Sequence, residues 1–383
     1  MYKLILFDVD GVFLSEERCF DASALSVWEL LYAPSNLGLT SDHFETKVDE
    51  EKIQEIRMTI FQNDSILSYM KTRGVNANWD MIYLSISAQI LLLLRRINRH
   101  DPHFVQTFLS QPIVEESLSQ LRAQLNKHKI THVDFAETTT VFANTKAKTP
   151  SEMFRDLNQQ VKSWFSISGT LFGRKTPLWM LGYHTFQSWY LGDDLYRETE
   201  AREAKIPGKR GFLADEVPII SSADISQLLT RLEQNGIVAG IGTGRSRLET
   251  ETPFKQLDIW DCFDENRIVT ASDVIQAEHT FPEHAPLAKP NPYSYVRAFL
   301  GQSTSISDCL EQSLPLENGE EILIVGDSVA DYLAAREMGS RFAATLTGLT
   351  GKDARTTFEN LGADYILDDV SQLAQALGLP ETS

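Results

Sequence analysis

Four apolar residues, Leu4-Ile5-Leu6-Phe7, run straight into Asp8-Val9-Asp10-Gly11. A continuous apolar run this short is the pattern of a strand buried on both faces, which calls for a sheet covered on each side. A carboxylate at the end of such a strand is costly to bury unless it meets a cation. In open α/β sheets the ligand crevice lies at the carboxyl ends of the strands. Asp8 and Asp10 are expected there, with Gly11 letting the backbone turn close to a ligand. Taken alone, the segment serves equally well as a strand-to-turn junction.

Three later segments add to it. Ile237-Val238-Ala239-Gly240-Ile241-Gly242-Thr243-Gly244-Arg245 reads as a strand that delivers Thr243 into a glycine-flanked turn. A hydroxyl beside exposed backbone N–H groups suits phosphate oxygens, and a plain loop is the alternative. The helix before it places Ile225, Leu228, Leu229 and Leu232 on one face, with Ser222 or Asp224 as its cap and Gly236 as its stop. Ala288-Lys289-Pro290-Asn291-Pro292 holds a lysine beside two rigid prolines, either to face an anion or as a surface loop. Glu321-Ile322-Leu323-Ile324-Val325-Gly326-Asp327 is another apolar strand ending on an aspartate. Asp331 follows at the start of a helix that Gly339 can end, where it serves as a ligand or as a cap.

In this order, the four segments resemble the haloacid dehalogenase-like (HAD) hydrolase superfamily. Asp8-Val9-Asp10-Gly11-Val12 looks like its first motif, Thr243 its second, Lys289 its third, and Gly326-Asp327 through Asp331 its fourth. The resemblance covers residues 1 to 14 and 212 to 378. It implies an α/β fold, a Rossmann-like parallel sheet flanked by helices, formed by 1–14 and 212–383. Residues 15–211 would form an inserted cap, mainly helical and larger than the helical cap usual in the family.

The resemblance also implies phosphoryl transfer through an aspartyl-phosphate. Asp8 would be the nucleophile. Asp10 would be the acid for the leaving oxygen and then the base for water. Asp8, Asp327 and the backbone carbonyl of Asp10 would hold Mg²⁺. Thr243, the Gly244 N–H and Lys289 would share the phosphate charge. Asp331 would orient Lys289 or reach the metal through water. Arg245 is either an extra phosphate contact or a solvent-facing ion pair. The dehalogenase members lack the second aspartate, so Asp10 favours phosphate chemistry. Val12, where many phosphatases carry threonine, is a mild departure.

The expected activity is therefore a Mg²⁺-dependent phosphatase acting on a small phosphorylated metabolite. The alternatives are a phosphomutase of the same superfamily and a non-catalytic binding or regulatory protein on this scaffold. A net charge of −18 argues against nucleic acid as a partner. Hydrophobic and charged contents of 42% and 23% are those of an ordinary globular protein. Cys19, Cys262 and Cys309 are dispersed and suggest neither disulfides nor zinc. With no secretory signal at the start, the expected location is the cytoplasm. The oligomeric state is not legible.

Within the insertion, helical spacing predicts helices over Ala22 to Tyr32, Val48 to Tyr69, Trp79 to Asn98 and Val114 to Lys127, and a strand near Val133-Phe135. The stretch Met81 to Ile97 is the most apolar, yet carries Ser85, Ser87 and Gln89, so a buried helix is expected and not a membrane span. Phe172 to Trp179, followed by Phe186, Trp189 and Tyr190, is either a substrate-selecting loop or the core of the insertion. Arg202 to Arg210, with Lys205 and Lys209, reads as a return linker that could also face an anion.

Overall fold

A computed structural model describes residues 2–39, 44–142 and 146–380. The chain divides into two compact units, one formed by Met1–Glu17 with Leu213–Ser383 and the other by Arg18–Phe212. In the first, strands β1 (Leu4–Phe7), β2 (Val238–Gly242), β3 (Ile268–Val269), β4 (Ile322–Gly326), β5 (Arg341–Thr345) and β6 (Tyr365–Leu367) form one sheet in the order β3-β2-β1-β4-β5-β6. Every pairing is parallel. The N-terminal strand is thus central. Leu6 lies opposite Gly240 on one side and Ile324 on the other.

The alternation of side chains explains why β1 is apolar throughout. Ile5 and Phe7 point into a core with Ile225, Leu228, Leu229, Leu232 and Phe254. Leu4 and Leu6 point into the opposite core with Tyr295, Val296, Ala335, Met338 and Phe358. All four β1 residues are buried, so no position can be polar until the strand ends at Asp8. Burial of each such side chain stabilises the sheet by roughly 1.5–3 kcal/mol before entropy is counted.

The helices obey local rules. Helix Ser222–Gln234 buries Ile225, Leu228, Leu229 and Leu232 as expected, but its cap is Ser221, whose hydroxyl accepts from the Asp224 N–H. Helix Val329–Met338 ends on Gly339 in the left-handed conformation.

The second unit is helical. Three of the expected helices occupy Glu17–Tyr32, Asn78–Ile97 and Glu115–Lys127. The predicted helix over Val48 to Tyr69 is instead two, Glu50–Ile60 and Ser65–Lys71. Gln62, Asn63 and Asp64 between them all take positive φ, a conformation that no helix can contain. The strand predicted near Val133-Phe135 is absent, and a 3₁₀ turn begins at Phe135. There the Asp134 carboxylate accepts from the Ala136 N–H, a local bond that competes with extended pairing. Helix Asn78–Ile97 carries the Met81 to Ile97 stretch, and most of its residues are buried. No helix among the described residues is long and apolar enough to cross a membrane.

Candidate active site

Asp8, Thr243 and Asp327 each follow the last residue of β1, β2 and β4, or lie one step beyond it, at the carboxyl edge of three adjacent strands. Register alone therefore gathers residues far apart in sequence. One carboxylate oxygen each from Asp8, Asp327 and Asp331 can be chosen so that all lie within 4.8 Å of one another. Asp8 and Asp331 are buried, and Asp327 is partly exposed.

Lys289 is placed by a turn in which the Asn291 N–H donates to the Ala288 carbonyl and the Asn291 side chain accepts from the Tyr293 N–H. Its ammonium lies 2.9 Å from Asp8 Oδ2 and 2.7 Å from Asp331 Oδ1. Burial alone would strip its proton, but the Asp331 and Asp8 charges hold its pKa above the ordinary lysine range. Burial pushes Asp8 up to about 7, with Lys289 opposing and Asp331 and Asp10 adding to the rise. Asp331 behaves oppositely. Burial would raise it, yet Lys289 and the hydroxyls of Ser328 and Tyr295 hold it below the usual carboxylate range.

Asp331 both caps the start of its helix and pairs with Lys289. Its Oδ2 accepts from the Ser328 hydroxyl at 2.6 Å and from the Ser328 N–H at 3.3 Å, and the Asp331 N–H donates back to the Ser328 hydroxyl, a capping box at the helix start. Its Oδ1 accepts from the Tyr295 hydroxyl at 2.7 Å. Lys289 sits 4.9 Å above the Tyr295 ring. Tyr295 thus supports both members of the pair, and it fits only because Gly242 has no side chain: a Cβ there would lie 2.5 Å from the ring. Tyr295 had no signal in the sequence beyond a tyrosine on an apolar helical face.

Thr243 is buried, and its hydroxyl accepts from the Arg245 N–H at 3.2 Å. Gly244 is exposed, with open space where a side chain would stand, so its backbone can be approached closely. Gly11 takes φ +68°, and a Cβ there would meet the Asp327 carboxylate at 2.4 Å. The Gly11 carbonyl accepts from the hydroxyls of Thr345 and Thr347, at the end of β5 and just beyond it. Gly348 closes the other side of Asp327 with a similar lack of room.

Arg245 forms the ion pair that was one of its two expected roles, but in a buried setting. It is buried, not solvent-facing, and its guanidinium is directed at carboxylates. Its Nε and Nη2 lie 2.8 and 2.6 Å from Asp10 Oδ1, and its Nη1 lies 2.8 Å from Glu216 Oε1. Glu216 lies too far away in sequence for any local pattern to pair it with Arg245.

The aromatic segment of the second unit belongs to that unit's core. Phe172, Trp179, Phe186, Trp189 and Tyr190 are buried, and Arg174 donates to the fully buried Asp80 at 2.7 Å. Three of the four cations of 202–210 are likewise engaged: Lys205 with Glu115, Arg210 with Glu50, and Lys209 with Glu29 in a buried pair at 2.9 Å. Cys19, Cys262 and Cys309 are not joined in disulfides.

A protein solved by X-ray crystallography as a target of the Northeast Structural Genomics Consortium is 35% identical to this chain, with a TM-score of 0.75 over 98% of each. CbbY from Rhodobacter sphaeroides in complex with phosphate is 15% identical at a TM-score of 0.38, covering 99% of this chain and 100% of that one. A HAD family hydrolase from Deinococcus radiodurans R1 with bound phosphate and sodium is 13% identical at 0.39, covering 100% and 99%. No curated protein sequence matches. The family model described as haloacid dehalogenase-like hydrolase matches residues 2–339, a span that includes every strand end described above except that of β6 and that of β5, and the chain belongs to that family.

Proposed function

We propose that the protein is a Mg²⁺-dependent phosphatase that cleaves a small phosphorylated metabolite through an aspartyl-phosphate on Asp8. The observation that carries this reading is the meeting of Asp8, Asp327 and Asp331 within 4.8 Å, with Lys289 beside them. Three carboxylates crowded at the end of buried strands repel one another unless cations sit among them. Lys289 supplies one positive charge, which leaves a negative excess.

The donor set fits a hard divalent ion. Asp8 and Asp327 would hold it, and the oxygens of Asp331 are already engaged by Lys289, Tyr295 and Ser328. When bound, Mg²⁺ supplies charge neutralisation to Asp8 and to the substrate phosphate.

The remaining work falls to the chain. The Thr243 hydroxyl, the Gly244 N–H and Lys289 orient the phosphoryl group by charge and hydrogen bonds. An Asp8 oxygen bonds to phosphorus as the ester P–O bond breaks. The departing oxygen keeps the electron pair and takes a proton from Asp10. In the second half a water gives a proton to Asp10 as its oxygen bonds to phosphorus and the Asp8–phosphorus bond breaks. Asp10 ends protonated, ready for the next cycle.

The test is Asp8→Asn, assayed with Mg²⁺ against a panel of phosphorylated metabolites. Turnover should vanish while the fold and phosphate binding persist. An active Asp8→Asn protein would remove Asp8 as nucleophile.

A further inference from the structure

Arg245 turns one edge of its guanidinium on a single atom of Asp10. Two of its N–H groups, on Nε and Nη2, converge on Asp10 Oδ1 at 2.8 and 2.6 Å. No described residue hydrogen-bonds Asp10 Oδ2. The guanidinium is itself fixed from behind. Its Nη1 meets Glu216 Oε1 at 2.8 Å and the Glu249 carbonyl at 3.3 Å. Glu249 is in turn locked in the capping box that starts helix Arg247–Gln256, its carboxylate accepting from the Ser246 N–H. The Arg245 and Glu216 side chains are 4% and 2% exposed, whereas Asp10 is 21% exposed. The arrangement is a rigid, buried support ending on a carboxylate that reaches solvent.

Such a geometry does not suit a phosphate contact. A guanidinium shared between two carboxylates and a carbonyl has its forks directed at the protein. It suits a device that fixes one side-chain torsion. We propose that Arg245, anchored by Glu216, is the positioning residue for Asp10: it pins Oδ1, and so makes Oδ2 the oxygen that gives and takes the proton. This rests on the acid–base role of Asp10 proposed above. An aspartate rotates freely at the end of a strand unless something holds it, and proton transfer demands placement within hydrogen-bond reach of the reacting oxygen.

The experiment compares Arg245→Met, Arg245→Lys, Glu216→Gln and Asp10→Asn on two monoesters, p-nitrophenyl phosphate and an alkyl phosphate. Their leaving oxygens differ in how much they need a proton. Arg245→Met should lower kcat on the alkyl ester by about tenfold or more beyond any loss on the aryl ester, with KM within about threefold. Arg245→Lys should recover part of that difference, and Glu216→Gln should show it in smaller degree. Equal losses on both esters, or a raised KM with unchanged kcat, would overturn the inference. A crystal structure of Glu216→Gln or Arg245→Met supplies a readout independent of turnover. Asp10 is expected in more than one side-chain conformer, and a single unchanged conformer would count against the inference. If Asp10→Asn itself shows no leaving-group bias, the acid–base role fails along with the inference. Bias in Asp10→Asn without bias in the Arg245 variants removes the positioning role alone.

Discussion

Replacing Lys289 by methionine removes a positive charge that touches both Asp8 and Asp331 while keeping most of the side-chain volume. At 2.9 and 2.7 Å, and an effective dielectric constant near 20, each contact is worth ~6 kcal/mol gross. The loss in stability cannot reach that sum, because a stranded carboxylate has a cheaper escape. It takes up a proton. Asp8 is already pushed up to about 7 by burial with the lysine present, so the loss falls chiefly on Asp331. Against an ordinary aspartate pKa, protonation at pH 7 costs about 4 kcal/mol, and at pH 5 about 1.5 kcal/mol. Removing one partner of a buried pair typically costs 3–5 kcal/mol, in agreement with that ceiling. The native variant holds a proton that the unfolded chain lacks, so its stability falls as pH rises. In metal-free buffer, hydrogen exchange of β1 and β4 amides should show a deficit of about 3–4 kcal/mol at pH 7, shrinking to about 1–2 kcal/mol at pH 5. A deficit under ~1 kcal/mol at pH 7, or one that does not change with pH, would refute the claim that this lysine neutralises buried charge.

Other perturbations probe separate features. In Gly348→Ala the new Cβ would stand 2.0 Å from Asp327 Oδ2, so Asp327 must move; Mg²⁺ should support activity only at concentrations about tenfold higher or more, and an unchanged Mg²⁺ titration would contradict this. Lys209→Met should destabilise the second unit by about 3–5 kcal/mol by stranding Glu29, and the double variant with Glu29→Gln should recover much of it, as measured by denaturant unfolding. His184 is pulled down to about 4 by burial, with Arg202 adding to the effect, so it stays neutral in the folded state. The unfolded chain binds that proton from about pH 6.5 downward, so stability should decline between pH 6.5 and 4, and His184→Gln should flatten that part of a thermal-melting profile.

The residues at the sheet edge were legible because each closes an apolar run, and a run buried on both faces has only one place to turn polar. β3 and β6 were not legible, since two and three residues leave no periodicity to read. In the second unit, helices absent from the expected set start at Thr149-Pro150 and Thr176-Pro177, each with a threonine cap and proline in the first turn. Composition after Phe172 leaves both a binding loop and an internal core open, and only the partners decide: Trp179 donates to Asp80, and the Tyr83 hydroxyl accepts from the Gly173 N–H and the Thr176 hydroxyl inside the unit. The burial of Arg245 and the identity of its partners are illegible for a related reason. Local sequence gives the chemistry of a guanidinium but not which distant carboxylates will face it, and here Glu216 and Asp10 did.

The central position of β1 also sets a schedule for biosynthesis. Phe7 pairs with Ile241 and Val325, so the second of its neighbours is translated 318 residues later, the difference between 325 and 7. At ~5–20 residues per second the ribosome needs roughly 16–60 s to span that interval. Until then one edge of this all-apolar segment has no strand partner, even after β2 has been made, and residues 18–212 emerge as one uninterrupted stretch. Nascent chains that stop before β4 leave Leu4–Phe7 without one of its two strand neighbours, an open apolar edge of the kind that aggregates.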